Sequence, residues 1–340
     1  MLVRVDLASG EVRELTPVTR DVVMGTATPD GRFWAVTMGD TRTPGDLVLV
    51  DALTGTCRTL YAPNAAVLSE IALGAIEEFW YPSFDGRRIQ GWLVKPPDFD
   101  PSKQWPMVLQ IHGGPHAAYG VGFYHEFHVL AGAGYVVLYT NPRGSTSYGE
   151  EFADCIQYRY PGDDAHDLTG AVDEVVKQGW VDEKRIGVTG GSGGGLLTNW
   201  LIGKTRRFAA AVTQRCVTDW GSMSYSSDFT LFTPSWFRKP AYEDPEEYRA
   251  RSPIAFVRDI ETPLMILHSE EDWRCPIAQA ETMYRALKQQ RKTVVLVRFP
   301  GEGHELSRSG MPSRRVQNQQ HIRAWFDRWL LGKPAPQYGV

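Results

Sequence analysis

Arg185-Ile186-Gly187-Val188-Thr189-Gly190-Gly191-Ser192-Gly193-Gly194 is the stretch that decides the fold. Arg185 to Val188 reads as a buried strand, and the apolar pattern from Gly194 to Ile202 reads as a helix. Between them Gly190 to Gly194 fits G-x-S-x-G. Alone, so short a pattern says little; set between a strand and a helix, it describes a turn that forces a serine into a strained, exposed conformation. Small neighbours are required, because a side chain at 190 or 194 would collide across the turn. The helix amino terminus adds NH groups and a positive dipole end for a developing oxyanion.

Outward from this turn, strands alternate with helical patterns from about residue 76 onward. Strand candidates are 89–94, 107–111, 135–140, 185–188, 209–212, 264–267 and 294–299; helical patterns cover 166–177, 194–202, 277–289 and 316–331. Val136-Val137-Leu138 and Leu264-Met265-Ile266-Leu267 do not alternate, as befits strands buried on both faces. Residues 76–340 are therefore expected to form an α/β domain with a mostly parallel, doubly wound sheet and its chemistry at the strands' carboxyl ends.

Serine is a weak nucleophile until a base accepts its proton and a third group orients that base. In an α/β-hydrolase the chain order is Ser, acid, His. Asp272 follows the strand 264–267 and His304 follows the strand 294–299, so Ser192, Asp272 and His304 are the expected triad. Glu270 and Glu271 are rival acids; Asp272 is preferred because the reach from a strand end to a histidine takes a few loop residues. His112 and His116 cannot pair on a metal, since Gly113-Gly114-Pro115 between them forbids the helix that i, i+4 ligation needs. The His-Gly-Gly loop instead lies where this fold finds its second oxyanion donor. That donor is assigned to the NH of Gly114, with Gly113 its rival, and the first to the NH of Gly193. Trp220, Tyr225, Phe229 and Trp236 fall in the insertion that often builds an acyl pocket, where core packing is an equal reading.

The amino-terminal segment has another texture. Residues 3–15 align with 48–60 at an offset of 45, with six of thirteen positions identical, among them Asp6/Asp51 and Gly10/Gly55. A strand, a glycine turn and a second strand at this period suggest propeller blades. Residues 21–61 read as one whole blade preceded by the outer half of another, so residues 1–75 are a partial propeller. Strand edges carrying Phe33, Trp34 and Val36 would then be open, which suggests a homo-oligomer formed through the amino-terminal strands.

Composition narrows the function classes. Hydrophobic residues make up 42% of the chain and charged residues 22%, so a large core is available. The net charge is -4 and no basic run could follow a phosphate backbone, so nucleic acid is an unsuitable partner. Cys57, Cys155, Cys216 and Cys275 show no CxxC spacing, which signals neither a zinc site nor a disulfide framework. No membrane span or signal sequence is read, and a cytoplasmic enzyme without metal or organic cofactor is expected.

His112-Gly113-Gly114-Pro115, Asn141-Pro142-Arg143-Gly144-Ser145, Gly187 to Ser192, Thr198-Asn199-Trp200, Thr213-Gln214-Arg215, Glu271 to Pro276 and Phe299 to Arg308 together resemble the prolyl oligopeptidase family, nearest its acylaminoacyl-peptidase branch. The resemblance covers residues 76–331. It implies the triad above and a substrate-binding role for Arg274 at a carbonyl beside the scissile bond. It implies cleavage of short or N-acylated peptides through an acyl-enzyme. Two departures qualify it: Gly193 stands where the family usually has Tyr, and only about one and a half blades precede the hydrolase. An uncapped site and a pocket widened at Gly193 would suit a carboxylesterase of short acyl esters, and loss of catalysis would leave an interaction module.

Overall fold

Residues 1–229 and 231–340 are described by the computed structural model. The amino-terminal strands are β1 (Val3–Val5), β2 (Val12–Glu14), β3 (Asp21–Ala27), β4 (Phe33–Gly39), β5 (Asp46–Asp51) and β6 (Cys57–Tyr61). β1 pairs with β2, and β3 to β6 form a four-stranded antiparallel sheet in chain order. The internal repeat has a structural cause. Asp6 and Asp51 each accept bonds from the NH groups two and three residues later through one carboxylate oxygen, and each carbonyl accepts the NH of Gly10 or Gly55. Those glycines have φ of 74° and 76°, which a side chain would resist. One turn, used twice, joins β1 to β2 and β5 to β6.

The expected placement of Phe33, Trp34 and Val36 on an open edge is corrected; the edge strands of the four-stranded sheet are β3 and β6. β4 is an interior strand paired on both sides, and Val36 is 1% exposed in a small core with Leu15, Met38, Val48, Val50 and Ala52. Apolar side chains stay exposed on β1, β2 and their turn, at Val3, Val5, Leu7 and Val12, and on the edge strands β3 and β6, at Val23, Leu60 and Tyr61. The four-stranded sheet leans on the rest of its own chain: His128 Nε2 meets the Thr41 carbonyl at 2.7 Å, and Arg42 donates to the carbonyls of Leu73 and Gly74.

The second sheet contains β7 (Ile76–Pro82), β8 (Arg88–Val94), β9 (Trp105–Ile111), β10 (Val136–Asn141), β11 (Val181–Gly191), β12 (Ala210–Gln214), β13 (Leu264–Ser269) and β14 (Val294–Phe299). Its spatial order is β14-β13-β12-β11-β9-β10-β8-β7, parallel from β14 to β10 and antiparallel at β8 and β7. This is the α/β-hydrolase arrangement. Two cores flank the sheet. One holds residues of the helices Asp163–Val176, Gly193–Lys204 and Ala278–Gln289; the other holds residues of His125–Gly132 and Pro312–Leu331. Trp325 and Phe326 of the last helix are fully buried, and truncating either to alanine should cost ~3–5 kcal/mol. Phe326 presses so close to β11 that a Cβ on Gly187 would lie 2.6 Å from its ring.

Among the differences from the expected pattern, those at two strands have local reasons. β11 begins at Val181, because Val181 pairs with Trp105 before a bulge carries the polar residues 182–185 outward and pairing resumes at Ile186. β7, with Glu77 and Glu78 exposed, is an edge strand whose outer side needs no apolar alternation. Among the described residues, no helix is long and apolar enough to cross a membrane.

Candidate active site

Register places the candidate groups before any side chain is considered. Gly190 of β11 is level with Ile111 of β9, so Ser192 and Gly113 emerge two residues beyond the same line. Ser269 of β13 is level with Phe299 of β14, and Asp272 and His304 follow three and five residues later. All these loops leave the carboxyl edge of adjacent parallel strands, which brings residues far apart in sequence within reach.

Ser192 has φ 62° and ψ -120°, a conformation strained for a side-chain-bearing residue, and caps the helix Gly193–Lys204. Its NH is held by the carbonyls of Gln214 and Arg215 at 3.0 and 3.1 Å. The glycines around it have steric reasons. A Cβ on Gly190 would lie 2.6 Å from the Gly194 carbonyl oxygen, and one on Gly194 would lie 2.2 Å from that of Ile111. The turn closes only because both are absent.

His304 Nδ1 donates to both oxygens of Asp272, at 2.8 and 2.9 Å. Donation from Nδ1 leaves the lone pair of the neutral ring on Nε2. The Asp272 side chain is fully buried and also accepts the Cys275 NH at 2.8 Å. His268, fully buried and pushed towards its neutral form by that burial, donates from Nε2 to the Cys275 carbonyl at 2.7 Å and so ties down the loop that carries Asp272. The Cys275 thiol lies beside the Ser192 hydroxyl and is held protonated by burial and then by the Asp272 charge. The rival acids face elsewhere: Glu270 pairs with Arg298, and Glu271 is exposed.

The His-Gly-Gly-Pro loop lies against the serine turn. A Cβ on Gly113 would be 2.9 Å from the Gly191 carbonyl oxygen and 3.2 Å from Ser192 Cβ. Gly114, at φ 115°, is exposed, and its NH lies 3.1 Å from the point a Cβ of Gly193 would occupy. His112 serves this loop as a brace, with Nδ1 to the Gly113 carbonyl at 2.7 Å and Nε2 to Ser145 Oγ at 2.9 Å. The Asn141–Ser145 turn is itself fixed by Asn141 bonds to both backbone groups of Tyr119 and by Arg143, clamped between the buried Asp167 and the exposed Asp85.

Gly193 does not open a pocket, which corrects the sequence expectation. Its Cβ position lies 2.7 Å from the Tyr160 hydroxyl and 2.9 Å from the Gly114 carbonyl oxygen, so the space is already occupied. Tyr160 is 2% exposed, and its hydroxyl donates to the Gly193 carbonyl at 3.1 Å. The insertion is corrected in part as well. Trp220 is 4% exposed and packs among Tyr160, Phe232, Trp236 and Phe237, so it is core rather than lining. Tyr225 is 64% exposed, whereas half-buried Phe229 packs on Phe232 and lies beneath the Arg274 guanidinium. Arg274 pairs with Asp228 at 2.6 Å, both about half exposed.

Tyr160, Arg215 and His268 are the groups that motif reading left without a role. Tyr160 has no motif around it; its part depends on a chain segment arriving from before the helix Asp163–Val176. Arg215 and His268 stand at or just inside strand ends beside the site, and that position is the signal that could have singled them out.

Known proteins are similar to this chain in sequence and in fold. Residues 121–333 match the prolyl oligopeptidase family. The uncharacterized peptidase YuxL of Bacillus subtilis is 45% identical over 275 residues, covering 80% of this chain and 42% of that protein. Dipeptidyl-peptidase 5 of Porphyromonas gingivalis is 30% identical, covering 84% of this chain and 42% of the relative. Among solved structures, the Pyrococcus horikoshii acylaminoacyl peptidase superposes with a TM-score of 0.90 at 28% identity, over 96% of this chain and 52% of that one. An acylaminoacyl peptidase bound to Z-Gly-Gly-Phe-chloromethyl ketone gives 0.89 at 29% identity, over 95% and 51%. The chain thus spans about two-fifths of the length of these curated relatives and about half that of the solved structures.

Proposed function

The chain belongs to the prolyl oligopeptidase family, and from that premise we propose that it is a serine peptidase that cleaves short or N-acylated peptides through an acyl-enzyme. The observation that carries this reading is the His304–Asp272 pair, doubly bonded at Nδ1, at the strand edge where Ser192 is held in its strained turn. Ser192 Oγ attacks the scissile carbonyl carbon while His304 Nε2 takes its proton. The same proton then passes to the departing amine nitrogen as the carbon–nitrogen bond breaks. Water repeats the sequence on the acyl-enzyme and returns the serine. Asp272 keeps the ring in the tautomer that can accept, and its charge stabilises the imidazolium. The NH groups of Gly193 and Gly114 are assigned to the oxyanion, for which such a donor supplies ~10²–10³ in rate. Arg274, over Phe229 at the insertion, is assigned to a substrate carbonyl.

One ground of the ester reading, an enlarged site at Gly193, is removed by Tyr160. Ser192→Ala tests the assignment: turnover of acetyl-aminoacyl anilides and of p-nitrophenyl esters should fall by ~10⁴-fold or more, with the far-ultraviolet dichroism unchanged. Turnover above ~1% of the parent would remove Ser192 as nucleophile. A comparison of kcat/KM on the two substrate series in the parent enzyme separates peptidase from esterase.

A further inference from the structure

Arg215 is a cation without a counter-ion beside the nucleophile. It follows β12 directly, with φ 38°, and its carbonyl holds the Ser192 NH. Its guanidinium lies flat over Gly191, because the Cβ position of that glycine is 2.8 Å from both Cζ and one terminal nitrogen and 3.0 Å from Nε. One terminal nitrogen donates to Ser307 Oγ at 2.9 Å, and Nε has no partner. Among the described residues the guanidinium forms an ion pair with no carboxylate. The nearby acids are committed elsewhere: Glu126 accepts from Gln110 at 2.5 Å and Gln319 at 3.0 Å, and Glu305 is paired with Arg308. Burial, and then the Arg308 charge, weigh against the charged form of Arg215, and the Glu126 and Glu305 charges offset this in part without an ion pair. A guanidinium stays charged in spite of this, so the arrangement holds an unmet demand for an anion.

Its position says which part of a substrate would meet that demand. Arg215 spans from Gly191, the residue before the nucleophile, to Ser307, three residues after His304. The departing amine must face His304, which returns its proton, so a group between these two segments flanks the leaving side of the scissile bond. The acyl side falls to the groups assigned above to the substrate, Gly114 at the oxyanion and Arg274 at a carbonyl beside the scissile bond. Resting on the peptidase reading above, we infer that Arg215 binds a carboxylate on the leaving group, so that the preferred substrates are short peptides ending in a free carboxylate one or two residues beyond the cut. A guanidinium edge suits this ligand because it matches a carboxylate with two parallel N–H donors.

The experiment uses the parent enzyme and Arg215→Gln on acetyl-Phe-Ala and acetyl-Phe-Ala-Ala, each as free acid and as carboxamide. For at least one length the parent should favour the acid by ~10-fold or more in kcat/KM, and Arg215→Gln should bring that ratio close to one. Arg215→Lys, which keeps the charge without the fork, should fall between. Equal rates on acid and amide in the parent, or a preference that survives in Arg215→Gln, would overturn the inference. If Arg215→Gln does not fold, inhibition of the parent by free Ala-Ala against its amide decides the same question: tighter binding of the acid supports the site, and equal binding refutes it. An acetyl-Phe anilide hydrolysed while the acid/amide ratio is one refutes this inference alone. No turnover of any peptide or anilide refutes the peptidase reading.

Discussion

Gly193→Ala is a one-methyl change whose outcome the structure sets against simple helix propensity. Gly193 opens the helix Gly193–Lys204 with a backbone that lies outside the left-handed region, so its dihedrals accept alanine. In an open site the change would gain up to ~1 kcal/mol, the usual difference between alanine and glycine in a helix. Here the added carbon would lie 2.7 Å from the Tyr160 hydroxyl, 2.9 Å from the Gly114 carbonyl oxygen and 3.1 Å from the Gly114 nitrogen. Tyr160 cannot swing aside, since its ring is 2% exposed and packed edge-on against Trp236. Gly114 must therefore move by several tenths of an ångström. Overpacking of this kind costs ~1–3 kcal/mol, so a net loss of stability is expected. Because Gly114 is assigned to the oxyanion, kcat should fall by ~10²-fold while KM changes little. Adding Tyr160→Phe removes the nearest atom and leaves both Gly114 contacts, so the double variant should regain part of the stability and little of the rate. Urea titration and kcat on an acetyl-aminoacyl anilide measure both quantities. A single variant more stable than the parent with kcat within about twofold would refute the packing argument and the Gly114 assignment together.

Other outcomes follow from the same geometry. Asp164 is fully buried, and burial followed by the neighbouring Asp167 charge raises its pKa from 3.8 to about 7, against the opposing bond from the Gly162 NH. The folded state therefore holds a proton that the unfolded state releases. Stability from this group is complete below pH ~4 and is lost as pH rises towards 7, at ~1.4 kcal/mol per pH unit. Asp164→Asn, which keeps the neutral shape, should gain on the parent by up to ~4 kcal/mol between pH 4 and 8 in urea titrations; a difference that does not change with pH would refute it. Arg274→Ala should raise KM for acetyl-dipeptide anilides by roughly tenfold with kcat nearly kept, since its assigned contact lies away from the reacting atoms. Its half-exposed pair with Asp228 is worth at most ~1 kcal/mol, so Tm should move by no more than about 4 °C. An unchanged KM would count against Arg274 as a substrate contact.

Whatever depends on near neighbours was legible in the residues alone. The strand before Ser192, the glycines its turn requires, the doubled Asp–Gly turn at Asp6 and Asp51, and the buried parallel strands are local properties of backbone dihedrals and side-chain periodicity. The sequence also placed Ser192, Asp272 and His304 just past strand ends. Bringing Asp272 and His304 to 2.8 Å took the folded chain, because strand register is fixed by pairing between segments distant along it. Folding also settled every question of occupancy. A glycine at 193 reads as added space until Tyr160, 33 residues earlier, is found to fill it. A tryptophan at 220 reads equally as lining or core until its neighbours bury it. Arg215 reads as one more charge until the nearby carboxylates prove to be engaged elsewhere. Volume and charge balance are sums over atoms from several segments, and no local pattern contains the other segments' share.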